Sequence, residues 1–375
     1  MTRADRFAPA SCPRLVVKIG SALLVDPDGA VRRDWLAGVV ADLAARHRAG
    51  QKLIVVSSGA IALGARRLRL PAGGRACLED AQAAAATGQI ALSHLWAELL
   101  GSEGLTAAQM LLTLDDLEDR RRYLNVSATV ARLLALGVVP VVNENDTVAT
   151  EEIRFGDNDR LAARVAQAAG AGGVILLSDV DGLYTANPGS DPHAKLIDEV
   201  ATLDDGIMAM ADGGSDSGMG SGGMLAKLQA ARIAHAAGAH LAIVGGRRDH
   251  PLAAFAADGR GTIFPAAGGS GARKAWLAGR LTAHGRVVID AGATSALAGG
   301  ASLLAAGAAA VEGGFARGDV IDIVGPEGRV VARGLSEYDA TDAQRIAGRR
   351  SAEHATILGY APRSALVHRD HMVLL

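Results

Sequence analysis

Aromatic side chains are scarce, at 3% of 375 residues. The cores must therefore be assembled from Ala, Leu, Val and Ile. Cysteine is nearly missing. Cys12 and Cys77 are the only two, too few and too far apart for a disulfide framework or a thiolate metal site, and they fit a reducing, cytoplasmic setting. No apolar run reaches the roughly 20 residues that a membrane span needs. The first dozen residues hold Asp5 and no apolar signal core, so a soluble protein is expected. Neither sign of charge dominates: 38 basic residues against 40 acidic leave a net charge of -2, which provides no field for nucleic acid or an anionic membrane. The ten histidines show no metal-ligand spacing, so no protein-bound metal is expected. No Gly-Lys dipeptide occurs, which excludes the common phosphate-binding loop ending in that pair.

What is present is a rhythm. Short β-branched runs at Arg14–Ile19, Lys52–Val56, Val138–Val142, Val174–Leu177 and Leu241–Val244 each break into a polar or glycine-rich turn. Ala/Leu-rich stretches with helical spacing lie between them, such as Trp35–Arg48, Ala81–Leu100 and Tyr123–Leu136. Apolar strands alternating with amphipathic helices predict an α/β fold, a mainly parallel sheet covered on both faces. Ligands in such sheets bind at the carboxyl ends of the strands, where these polar turns fall. The pattern changes at PAAGGSGARK, a linker-like stretch placing a boundary near residue 270. We expect a domain over 1–268, a linker over 269–280 and a small, mostly β module over 281–375.

Lysine usage is the sharpest oddity. Only Lys18, Lys52, Lys195, Lys227 and Lys274 occur among the 38 basic residues. Lys18 sits in VVKIGS near the end of the first strand; in isolation that context equally suits an edge-strand lysine with a solvated head. Lys227 closes DGGSDSGMGSGGMLAK, in which six of the eleven residues from Gly213 to Gly223 are glycine. Glycine so dense suits either a loose surface loop or backbone that approaches a ligand closely. A helix opening directly behind it, with a lysine one turn in, has the makings of an anion cradle. Gly218, Gly220 and Gly223 spell GxGxxG, but no strand precedes them, so a dinucleotide fingerprint is discounted.

A polar stretch, NENDTVATEEIRFGDNDRLAARVA, follows the Val138–Val142 strand and holds Asn143, Glu144, Asn145, Asp146, Asp157, Asn158 and Asp159. Any one could be a helix cap. Two clusters off the strand ends suit a zwitterion, since amides donate to carboxylates and accept from ammonium groups. Ser57-Ser58-Gly59-Ala60 offers hydroxyl and N–H donors at a helix start, and Ser178-Asp179 could flank a nucleotide. A carboxylate acceptor is already ionised at neutral pH, its reference pKa being about 4.3, so phosphoryl transfer to it needs alignment and charge neutralisation rather than a base.

VVKIGS, VSSGAI, PVVNENDTV, GDNDRLAARVA, LLSDVDGLYTANP and GSGGMLAK, in this order, resemble the amino acid kinase superfamily over nearly the whole chain. The segment from WLAGRL to ILGY is similar to a PUA module. Together they resemble the branch that phosphorylates L-glutamate, opening proline biosynthesis. The resemblance implies an αβα sandwich and the conversion of ATP and L-glutamate to ADP and glutamate 5-phosphate. It implies that Lys18 and Lys227 neutralise the transferring group, that Asp159 organises both lysines, and that Lys18, Ser178, Asp179 and the run Ser221, Gly222, Gly223, Met224, Leu225, Ala226 and Lys227 line the ATP site. Ser58, Asn143, Asp146 and Asn158 would bind glutamate. It further implies Mg2+ with the ATP, inhibition by proline and a homo-oligomer.

Two departures stand out. Leu225-Ala226 replace the family's usual hydroxyl residue before the lysine, so backbone N–H groups must serve there. Asn187 replaces an aspartate in YTANP. The rivals are a sister kinase acting on acetylglutamate, aspartate, carbamate or a nucleoside monophosphate, and an RNA-binding protein working through the C-terminal module. From Trp276 to His354 that module has eight arginines, no lysine and nine acidic residues, a net 8 − 9 = −1, the opposite of what backbone binding of RNA requires.

Overall fold

A computed structural model describes residues 3–26, 30–148, 158–211, 223–267 and 283–375. The chain forms two compact units, Met1–Glu118 with Val126–Ala267, and Asp119–Asn125 with Gly268–Leu375.

The first unit is built on seven strands: β1 (Arg14–Ile19), β2 (Lys52–Ser57), β3 (Ala107–Leu112), β4 (Val139–Glu144), β5 (Gly173–Ser178), β6 (His240–Gly245) and β7 (Thr262–Phe264). They pair in the order β3-β4-β2-β1-β5-β6-β7. All pairs are parallel except β6 with β7. The helices are α1 (Ser21–Leu24), α2 (Arg33–Arg48), α3 (Ala60–Leu68), α4 (Leu78–Ser102), α5 (Leu114–Glu118), α6 (Arg120–Ala135, in this unit from Val126 on), α7 (Asn158–Ala169), α8 (Asp205–Ala209), α9 (Met224–Ala236) and α10 (Pro251–Asp258). Strands β4 and β5 are buried along their whole length, as a sheet covered on both faces demands. Val17, Ile19, Val55, Ile175 and Leu177 share one core with Leu36, Trp96 and Phe255. Helices α7 and α9 pack on each other and reach β1, β5 and β6.

Small residues let α3 and α4 touch backbone to backbone. A Cβ added at Gly88 would lie 1.8 Å from the Ala60 carbonyl oxygen, and one at Gly64 1.8 Å from that of Ala84. Only glycine fits at either position, and the contact brings the middle of α4 close to the strand ends.

The second unit has its own sheet, β12-β11-β10-β8-β9. Its strands are β8 (Gly285–Ile289), β9 (Ala308–Gly313), β10 (Val320–Val324), β11 (Val330–Leu335) and β12 (Met372–Leu374). Its separate core includes Val287, Ile289, Ile321, Ile323, Tyr338 and Leu366. The expected linker, 269–280, lies outside the described residues.

Candidate active site

The parallel strands of the first unit all end on one edge, and the chemistry collects there. Lys18 is the penultimate residue of β1 and is only 7% exposed. Lys227 lies in the first turn of α9 at 6%, and Asp159 in the first turn of α7 at 1%. The three meet. Lys18 Nζ lies 2.6 Å from Asp159 Oδ1, and Lys227 Nζ donates to Oδ2 at 2.9 Å. Burial works to raise the Asp159 carboxyl, but the two ammonium groups overcome it and hold the group well below the ordinary carboxylate range. These three groups place two cations beside one anion at the strand ends, an arrangement of charge that suits an anionic ligand.

On the α9 side, Gly223 precedes the helix. The N–H groups of Ala226 and Lys227 turn back onto the Gly223 carbonyl at 3.1 and 3.4 Å. Met224 and Leu225 therefore carry the first-turn N–H groups that have no partner within the helix. Ser178 ends β5; its hydroxyl donates to Asp179 Oδ1 at 3.1 Å, while its carbonyl accepts from Gly246 N at 2.7 Å. Ser178 is buried and Asp179 exposed. Ser221 and Gly222, with the rest of the glycine run over 212–222, lie outside the described residues, as does Asp157. Asn187 builds a turn: its side-chain oxygen accepts from Gly189 N at 2.9 Å, a role that needs no charge.

On the α7 side the amides gather. Asn158 Nδ2 donates to Ser58 Oγ at 2.8 Å and to Asn143 Oδ1 at 3.1 Å. Both its hydrogens are then committed, and Asn158 Oδ1 is buried without a hydrogen-bond partner among the described residues. A buried orphan acceptor is costly, which marks it as waiting for a donor. Because Asn158 directly precedes Asp159, one helical turn presents the amide cluster and the lysine-binding carboxylate together. Asp146 follows β4, half-buried; burial pushes its carboxyl up to about 6, with Arg75 opposing. Ser58, Asn143 and Asn158 are thus brought together, as are Lys18, Lys227 and Asp159.

Sequence reading missed Gln89 and Ser93, which reach this cluster from α4. Gln89 Oε1 accepts from Asn143 Nδ2 at 2.8 Å. The available signal was an amide placed directly after Gly88 in an alanine-rich helix. Among the described residues, no group of three or more His, Cys, Asp or Glu side chains is arranged to hold a metal ion, and no helix is long and apolar enough to cross a membrane.

Residues 13–245 match the amino acid kinase family and residues 285–358 the PUA domain. The chain belongs to the amino acid kinase family, a family of phosphotransferases, and carries a PUA domain behind the kinase domain. It is 72% identical over 369 residues to glutamate 5-kinase from Sphingopyxis alaskensis, covering 98% of this chain and 99% of that one. To glutamate 5-kinase from Zymomonas mobilis it is 64% identical over 369 residues, covering 98% and 93%.

Proposed function

We propose that the protein transfers the γ-phosphate of ATP to the γ-carboxylate of L-glutamate, yielding ADP and glutamate 5-phosphate, the first step of proline biosynthesis. The observation that carries the reading is the shared turn of α7. Asp159 there binds Lys18 and Lys227, and the neighbouring Asn158 offers a buried acceptor beside the Ser58 hydroxyl.

The residues divide the work. Asn158 Nδ2 already donates to Ser58 Oγ, so the Ser58 proton is available to the α-carboxylate, and Asn158 Oδ1 accepts from the α-ammonium. Asp146 adds a charge for that ammonium, and Asn143 holds the Asn158 amide. A γ-carboxylate oxygen, ionised at neutral pH, attacks the γ-phosphorus; the bond to the β-bridging oxygen breaks, and its electron pair leaves with ADP. No proton has to be removed. Lys18 and Lys227 approach the moving phosphoryl group while Asp159 restrains both, so the positive charge is in place before reaction. Ser178, Asp179 and the Gly223–Lys227 stretch line the nucleotide side; Ser221 and Gly222, assigned to it by the family resemblance, lie outside the described residues.

Both Asp159 oxygens are engaged by lysine, so Mg2+ would enter with the nucleotide, where it would add positive charge to the transferring group. Feedback inhibition by proline, assembly into a homo-oligomer and a cytoplasmic location complete the proposal, on the strength of the family resemblance. The free cysteines Cys12 and Cys77 suit that compartment. An assay with ATP and a panel of acceptors (glutamate, acetylglutamate, aspartate, carbamate, a nucleoside monophosphate), with hydroxylamine trapping acyl phosphates, tests the reading. Glutamate alone should give substantial hydroxamate and ADP release; another acceptor that releases ADP faster than glutamate would overturn it.

A further inference from the structure

We propose that Gln89 and Ser93 of α4 are positioning residues that set which way the glutamate-site amides point. The inference rests on the glutamate-site reading above and extends it by one layer. An amide side chain looks alike from both ends, yet one end donates and the other accepts. A site that must show an acceptor to an ammonium group therefore has to fix the sense of each amide it uses.

The chain of contacts fixes that sense from one end. Ser93 Oγ donates to the Gln89 backbone carbonyl, one turn back, at 2.8 Å. Its only proton is thereby committed, so toward Gln89's side chain Ser93 Oγ can only accept. The Gln89 amide must turn its Nε2 to Ser93, at 3.1 Å. Gln89 Oε1 is then left facing Asn143 and accepts from Asn143 Nδ2 at 2.8 Å. Asn143 Oδ1 in turn accepts from Asn158 Nδ2 at 3.1 Å, and the second Asn158 hydrogen goes to Ser58 Oγ at 2.8 Å. The sequence ends with Asn158 Oδ1 buried and without a partner among the described residues.

Reversing Gln89 would reverse every member after it. Asn143 would turn its NH2 group toward Asn158, Asn158 Oδ1 would be consumed there, and the site would show the substrate ammonium an N–H donor instead of an acceptor. The Gly88 contact holds that turn of α4 tightly on α3, and from the next residue Gln89 Oε1 reaches Asn143 near the end of β4.

The test uses the full-length protein and steady-state kinetics with glutamate and ATP varied separately. Gln89→Leu removes both ends of the amide. It should raise the glutamate KM about tenfold, the scale of one hydrogen bond to a charged group, while the ATP KM and kcat change by less than about threefold. Gln89→Glu keeps an acceptor toward Asn143 and, in its protonated form, an O–H for Ser93 Oγ, so at pH 5 it should stay within about threefold of the wild-type glutamate KM at that pH. Equal impairment by Leu and Glu, or no change of glutamate KM in Gln89→Leu, would overturn the inference. Asn158→Ala, measured alongside, separates the two levels. If it raises the glutamate KM and Gln89→Leu does not, the site reading stands and the relay falls. If neither does, both fall.

Discussion

At the scale of single residues, charge state is the property that sequence could not supply. Asp146 reads in the sequence as an ordinary acidic residue in a polar stretch. In the fold, burial raises its carboxyl from 3.8 to about 6. In the ligand-free protein, the stability tied to this group is present below about pH 4 and lost as pH rises through about 6, because ionisation there is disfavoured. In the proposed glutamate site the substrate ammonium would reverse the balance by favouring the ionised form. The glutamate KM should therefore fall as pH rises from 5 to 7, and in Asp146→Asn that slope should flatten. A wild-type KM that is level across this range would remove Asp146 from ammonium binding. The Lys18–Asp159–Lys227 contact, by contrast, needed residues far apart in the chain: Lys18, at the end of an apolar strand, and Lys227, behind a glycine run, were suspicious singly, but nothing local joins 18, 159 and 227.

At the scale of elements, the strands that build the site were legible because central parallel strands are buried on both faces and so read as continuous apolar runs. β1, β2, β4, β5 and β6 follow that rule. β3 escapes it: AAQMLL lies at the sheet edge, is partly exposed, and contains residues that favour helix as readily as strand. β7 is three residues long and β12 likewise, too short for any period to show. The role of α4 was legible only as packing, because its apolar spacing says nothing of the Gln89 amide that reaches Asn143. Its contact with α3 gives a direct expectation. Gly88→Ala places a methyl group against the Ala60 carbonyl, and no side chain can yield since the obstacle is backbone. Urea unfolding should show a loss of at least about 2 kcal/mol, the range for overpacking a tight contact. An unchanged midpoint would mean the helices can separate freely.

At the scale of the whole molecule, the chain divides into an amino acid kinase domain and a PUA domain with its own core. The near-neutral charge, net -2 over the chain, provides no overall field for nucleic acid. A filter-binding experiment with tRNA at low salt should retain no complex at micromolar protein; salt-sensitive retention would assign the PUA domain an RNA partner.

Two ammonium groups sharing one carboxylate at the mouth of the sheet are the centre of the proposed mechanism. Lys227→Ala leaves Asp159 paired with Lys18, so the fold should persist, with an unchanged circular dichroism spectrum. Its turnover of glutamate and ATP should drop by at least about a hundredfold, the scale of a lost transition-state charge contact. A folded Lys227→Ala protein that turns over at close to the wild-type rate would contradict the account.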